Sequence, residues 1–515
     1  MNINQATMNR ITKDFIFDGF FSEYLPPSFM LSETVNFMSF ALSEKNDLVD
    51  PYSFTMSRFT EDGKRRIIHI PEFSAYLKVI KFMVEKNLIK QLIEKSSDIH
   101  SFSPLINKNG ELTRHENAYG FGVSLTDADQ NAFISTYIPN VIDKINRARG
   151  SKGILQLDIS NCYQSIYTHL LPCIDLGFDR TAQVYKLFKA NQSDPTIPSS
   201  YHIYRDFDKI LRGMNGDRTN GLLTGILVSR FVSEALFARI DEEIEKEGIR
   251  FVRYVDDYEI FIFNEKELQK TQSTVTNIFR KYYLSINNEK TKYATFPYYV
   301  IENLEAIVTK HLSSSMSEQQ IMDLFNSFFK FEENGTAGAI RFLVKAINNS
   351  IVKIDKPIFI SYLYNILAND SRSLVKACEL LISHRRSILT TQEDIERIER
   401  QIVYHINNEN TLEAVWLLYL RLKLTKKYLK SEITNSITNS NNDLAKIVLL
   451  EEYKSRLTKK AKRQMIATAN SWILYYQLYY NDYINKDTFS RKSGIKHNLA
   501  FYNRLKHDHF SFYVK

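Results

Sequence analysis

Apolar and polar positions fall into distinct regimes along the chain. In IRFVRYVDDYEIFIF, Ile249–Phe263, aromatic and β-branched runs flank Asp256-Asp257, the pattern of a β-hairpin with two carboxylates at its tip. ILQLDIS, Ile154–Ser160, reads as a short strand with Asp158 near its C-terminal end. SRFTEDGKRRIIHIPEF, Ser57–Phe73, predicts a second hairpin, with Asp62-Gly63 as its turn. Helical spacing takes over in Ala75–Lys95, Arg230–Lys246 and Thr271–Tyr283. Residues 1–50 are aromatic-rich and broken by Pro26-Pro27, which predicts short helices joined by a turn; residues 101–150 mix loop and helix. From 151 to 299 the elements alternate as strand, helix, loop, helix, hairpin, helix, strand, an α+β arrangement of the split-βαβ kind.

Beyond about residue 305 the pattern is helical throughout. AGAIRFLVKAI, SLVKACELLIS, TLEAVWLLYL and DLAKIVLLEEY begin at Ala337, Ser373, Thr411 and Asp443, offsets of roughly 32 to 38 residues. Each follows a cluster of Asn, Asp, Gly or Ser suited to capping. Degenerate helical repeats of this length suit an α-solenoid, and an ordinary Leu-rich bundle is the alternative. The expected division is residues 1–300 and 301–515.

Length and composition narrow the class. A chain of 515 residues exceeds one ordinary core, and 44% hydrophobic with 24% charged residues indicates a folded protein. Cys162, Cys173 and Cys378 have neither metal-ligand spacing nor the number for a disulfide framework. With no apolar leader pattern and no run of membrane-spanning length, the expectation is a cytoplasmic protein without a membrane partner. The net charge of +8 is uneven: residues 301–515 carry 31 Lys+Arg against 22 Asp+Glu, so a polyanion suits that part.

Two carboxylate-bearing elements a hundred residues apart suggest phosphoryl transfer. Two divalent cations roughly 3.5–4 Å apart clamp the attacking and leaving oxygens in such reactions. Mg²⁺ takes hard oxygen ligands, so carboxylates from separate rigid elements must converge, and Asp158 is the natural partner of Asp256.

The order of segments carries a resemblance. LDISNCYQSIYTHLL resembles motif A of reverse transcriptases, NGLLTGILVSRFVSE motif B, YVDD motif C and LSINNEKTKY motif D; KRRIIHIP resembles the basic fingers motif. Within that superfamily YLPPSF, FDKILRGMNGDRTNG and Ser233-Glu234 are similar to the abortive-infection (Abi) reverse transcriptases of bacterial anti-phage defence. The implied fold is a fingers–palm domain followed by an all-α, HEAT-like helical-repeat domain. The implied activity is DNA synthesis from dNTPs with two Mg²⁺ ions, or Mn²⁺ in their place. Members make single-stranded DNA without copying a template, start it on a tyrosine of the protein so that product stays attached, and form homo-oligomers. A templated RNA-directed DNA polymerase is the alternative, and a defence module binding nucleic acid beside an idle palm is a third.

The resemblance also distributes roles. Asp158, Asp256 and Asp257 would hold metal, with Asp257 in a supporting part. Lys290 would protonate the pyrophosphate leaving group. Lys64, Arg65 and Arg66 would neutralise the triphosphate. Tyr163, five residues after Asp158, would underlie the sugar and clash with a 2′-hydroxyl. Thr224 and Gly225 would lie against the nucleotide, the glycine allowing close backbone approach. Lys459, Lys460, Lys462 and Arg463, followed by the aromatic run Trp472–Ile484, offer charge beside rings that would stack on a single strand. Two departures bear on templating: Leu223-Thr224 stand where many reverse transcriptases have Pro-Gln, and no thumb is recognisable.

Overall fold

A computed structural model describes residues 4–57, 65–96, 99–107, 111–113, 122–123, 133–134, 137–299, 304–313, 315–348, 356–386, 388–425 and 427–515. Its strands, in chain order, are β1 Tyr52–Ser57, β2 Arg65–Ile70, β3 Gly122–Val123, β4 Phe133–Ile134, β5 Gly153–Asp158, β6 Phe251–Tyr254, β7 Asp257–Ile262 and β8 Lys292–Thr295. β1 and β2 pair antiparallel, as the second hairpin requires, while their turn lies outside the described residues. Residues 18–51 are largely irregular after a helix at Gln5–Phe17.

The central sheet is antiparallel in the order β6-β7-β5-β8. β5 alternates Ile154, Leu155 and Leu157 into apolar surroundings around the exposed Gln156, and β7 buries Tyr258, Ile260, Phe261 and Ile262. The helix Leu227–Lys246 is buried on almost every side, and Leu268–Lys281 packs against it. Its all-round burial explains Ser229, Ser233, Glu234 and Asp241 as interior polar groups, each of which must find partners.

The C-terminal part is a solenoid, which decides between the two expectations. The helices Ala339–Asn348, Leu374–Ser383, Thr411–Leu424, Asp443–Tyr453 and Trp472–Tyr480 form one row, each packed on the next. Glu318–Glu333, Pro357–Asn369, Gln392–Asn407, Ser431–Asn439 and Lys459–Thr468 lie along its outside. Thr411–Leu424, Asp443–Tyr453 and Trp472–Tyr480 are buried almost all round, because the N-terminal part packs against them. Trp416 Nε1 donates to the Tyr24 carbonyl at 2.7 Å, and the Tyr52 hydroxyl accepts from the Asp443 amide at 3.1 Å. Phe20, Phe73, Trp472, Phe510 and Phe512 form one aromatic cluster, mostly edge-to-face with Phe73 stacked on Phe510, and the Val514 amide donates to the Ser28 carbonyl at 2.7 Å. Full burial of one such ring stabilises by about 1.5–3 kcal/mol. The sheet-bearing part and the helical part therefore share one continuous core.

Candidate active site

The sheet register brings the carboxylates together. Asp158 ends β5 and Asp257 begins β7, and the two are direct cross-strand partners. Asp256 sits one residue earlier, in the two-residue turn Val255-Asp256 between β6 and β7. The sequence placed both aspartates at the tip; the structure puts Asp257 into the strand, facing Asp158.

Charge repulsion at the site is incompletely compensated. Loss of hydration around its carboxyl, reinforced by the neighbouring Asp256 and Asp158 charges and a carboxyl–carboxyl hydrogen bond to Asp158, pushes Asp257 up to about 7, although the residue as a whole is exposed. Asp256 is raised chiefly by its burial and further by the Asp158 charge, while Arg66 and Lys290 pull it back down. Asp256 and Asp257 thus hold a proton more readily than a free carboxylate, and with Asp158 they offer hard oxygens of the kind Mg²⁺ takes. Among the described residues no three His, Cys, Asp or Glu side chains are grouped closely enough to hold a metal ion, so the three carboxylates do not form a ready-made metal site in this arrangement. Asp158 has two further partners: Lys290 Nζ at 3.1 Å from Oδ1 and Asn287 Nδ2 at 3.2 Å from Oδ2. The Asn287 amide also donates to the Asp158 carbonyl at 2.8 Å, tying the segment after Leu268–Lys281 to the end of β5.

The basic hairpin divides its arginines. Successive side chains of a strand point to opposite faces. Arg66 acts on Asp256, whereas Arg65 turns the other way, hydrogen-bonds Thr55 and forms an ion pair with the buried Glu413 of the solenoid. Arg65 is thus committed to the interface, which corrects its expected place on the triphosphate. Lys64 lies outside the described residues.

Thr224 and Gly225 are also tied to the hairpin. The His69 amide donates to the Thr224 carbonyl at 2.9 Å, and the Thr224 amide donates to His69 Nδ1 at 3.3 Å. Burial lowers the His69 pKa, in keeping with a neutral, accepting Nδ1. Gly225 has φ +102, and a Cβ there would come within 2.5 Å of Ile68 Cγ2. Its glycine is therefore required by packing against β2, a reason distinct from the expected approach to nucleotide. Tyr163 lies in the short helix Cys162–Ser165, half-buried, with Ser233 as a hydrogen-bond partner; burial raises its pKa.

In the solenoid, Lys459, Lys460 and Arg463 are exposed on the helix Lys459–Thr468, and Lys462 lies over the Tyr483 ring at 4.7 Å. The aromatic run after them is not a stacking surface. Trp472, Tyr475, Tyr476 and Tyr479 are buried, because Trp472–Tyr480 belongs to the inner row of helices.

Sequence reasoning missed the groups beneath the Asp256 turn. Val255 has φ +57, a left-handed backbone that a β-branched residue rarely adopts. Arg253, fully buried, pairs with Glu234 at 3.0 Å and Asp241 at 2.7 Å. The available signal was the strand period, which places Arg253 on the same inward face as Phe251.

Comparisons with known proteins bear on this arrangement. Residues 61–343 match the family model described as reverse transcriptase (RNA-dependent DNA polymerase). No curated protein matches. Among solved structures, the chain is similar to telomerase from Candida albicans in complex with a TWJ fragment of telomeric RNA, at 12% identity and a TM-score of 0.29. That likeness covers 82% of this chain and 65% of the telomerase chain, so less than two thirds of the latter is spanned.

Proposed function

This chain belongs to the reverse transcriptase (RNA-dependent DNA polymerase) family, and from that premise we propose that it builds DNA from dNTPs without a template, starting on one of its own tyrosines, in defence against phage. The observation that carries the chemistry is the convergence of Asp158, Asp256 and Asp257 between Lys290 and Arg66. The three aspartates would hold two Mg²⁺ ions, with Mn²⁺ as a substitute. When bound, Mg²⁺ supplies charge neutralisation at the phosphates and makes the attacking hydroxyl more acidic.

The protein's own groups do the rest. Arg66 binds the triphosphate, and Tyr163 packs beneath the deoxyribose and excludes a 2′-hydroxyl. A hydroxyl oxygen, of a tyrosine or of a growing 3′ end, gives up its proton to solvent and bonds to the α-phosphorus as the α–β phosphoanhydride breaks. Lys290 holds the proton that the departing pyrophosphate takes. Asn287 keeps Asp158 aimed at the site. Leu223-Thr224 in place of Pro-Gln supports synthesis without a template. Tyrosine attachment, homo-oligomers and phage defence rest on the resemblance to Abi enzymes, and the exposed Lys459, Lys460 and Arg463 suit the single-stranded product.

The test is incubation of the purified full chain with labelled dNTPs, lacking primer and template. A protein-linked ladder that survives heat and detergent is expected, and an Asp256→Asn variant should make none. A faithful complement made only when RNA and primer are added would instead establish a templated enzyme. No product with any template, or unchanged activity in Asp256→Asn, refutes the polymerase mechanism.

A further inference from the structure

We propose that Arg253 is a positioning residue that sets the metal-binding pose of Asp256 by holding the strained turn at Val255. This rests on the reading that Asp256 holds a divalent cation. A β-branched residue in the left-handed region is strained and persists only where its surroundings over-determine it. Here both flanking polar groups of Val255 are taken. Arg253 Nη1 donates to the Val255 carbonyl at 2.8 Å, and the Val255 amide donates to Ser103 Oγ at 3.1 Å.

Those two holds form one network. Ser103 Oγ donates to Glu234 Oε1 at 2.9 Å, and Glu234 Oε2 accepts from Arg253 Nη1 at 3.0 Å. Arg253 Nε donates to Asp241 Oδ2 at 2.7 Å, while the Tyr258 hydroxyl donates to Asp241 Oδ1 at 2.8 Å. The Arg253 main chain is fixed too: its amide donates to the His100 carbonyl, and its carbonyl accepts from the Phe102 amide. The guanidinium therefore has little freedom, and the peptide that precedes Asp256 inherits its position. A residue serving packing alone would not need a charge in a site with no exposed surface, since apolar replacements of buried ion clusters are often as stable. What the charge provides is direction: its fork ties the helix Leu227–Lys246 to the turn carbonyl.

The experiment measures Mn²⁺ binding to the resting full chain by electron paramagnetic resonance, without nucleotide. Arg253→Lys, Ser103→Ala and Asp256→Asn are compared with wild type, each checked for native circular dichroism and a cooperative melt. Supporting interactions of this kind commonly carry 10–100-fold of metal affinity. Arg253→Lys and Ser103→Ala should each weaken Mn²⁺ binding about 10-fold. They should lower kcat while leaving the KM for dNTP within about twofold, since Arg66 and Tyr163 are untouched. If Arg253→Lys does not fold, Ser103→Ala carries the test, because it removes one hydroxyl and no charge. Weaker Mn²⁺ binding in Asp256→Asn but unchanged binding in folded Arg253→Lys and Ser103→Ala overturns this proposal and leaves the polymerase reading standing. Unchanged binding in Asp256→Asn overturns the metal role of Asp256 and the proposal with it.

Discussion

Asp158 and Asp257 face each other across β5 and β7 as the last residue of one strand and the first of the next. Cross-strand positions hold side chains close, and like charges directly opposite are destabilising. The fold therefore carries an electrostatic load at this point of the sheet, expressed in the upward shift of Asp257 to about 7.

That load predicts a trade between stability and activity. A folded-state pKa above the ordinary 3.8 means that the native state binds the Asp257 proton more tightly than the unfolded chain does. Stability from this group is full below about pH 4 and is lost as pH rises through about 7. Asp257→Asn should raise the melting temperature at pH 8 more than at pH 5, while incorporation falls. Saturating Mg²⁺ should raise the wild-type melting temperature, with a smaller effect on the variant; differential scanning fluorimetry reads both.

Tyr163 is expected to govern sugar choice. Tyr163→Ala should reduce the preference for dNTP over NTP by at least about 10-fold, as the ratio of kcat/KM values. The fold should hold, since the short helix Cys162–Ser165 also anchors through the Tyr163 carbonyl, which accepts from the Leu222 amide at 2.7 Å. Competition between labelled dATP and ATP measures the change.

The Arg65–Glu413 pair joins the hairpin to the solenoid with the Glu413 side chain only 1% exposed. Arg65→Ala should destabilise by about 3–5 kcal/mol, because it leaves the buried Glu413 unmatched, and Glu413→Gln by less, because Arg65 keeps contact with solvent. Replacing both, as Arg65→Met with Glu413→Leu, should recover most of that loss. Urea unfolding of wild type, Arg65→Met, Glu413→Leu and the double variant completes the cycle, and independent effects of the two residues would contradict the pairing.

His405 is buried, and its pKa is pushed down to about 4 by burial first and by the Arg65 charge second. The unfolded chain then takes up the proton that the native state refuses. Stability is full above about 6.5 and is lost as pH falls from there to about 4. His405→Gln should flatten that acid limb of the melting-temperature profile without altering the limb above pH 7.

Much of the site was legible because strand chemistry repeats with period two and the carboxylates lie at strand ends. Asp158, Asp256 and Asp257 could be paired from sequence, and their exact register could not, since nothing local says which of two adjacent aspartates enters the strand. Lys64, Arg65 and Arg66 read as one basic run until pleating separated Arg65 from Arg66. The aromatic run Trp472–Tyr480 looked like a surface for bases because its neighbours are charged, and packing between solenoid helices buried it. Arg253 went unread for the opposite reason: its partners Glu234 and Asp241 lie on a helix whose interior side chains no periodicity distinguishes.

The hydrogen bond from Val514 to Ser28 has a consequence for how the protein is made. The aromatic core around Phe20 and Phe73 is finished by Trp472, Phe510 and Phe512, so early residues wait for late ones. At about 5–20 residues per second, that wait lasts roughly half a minute to a minute and a half. A nascent chain thus carries all three aspartates long before the last rings of its core have been made.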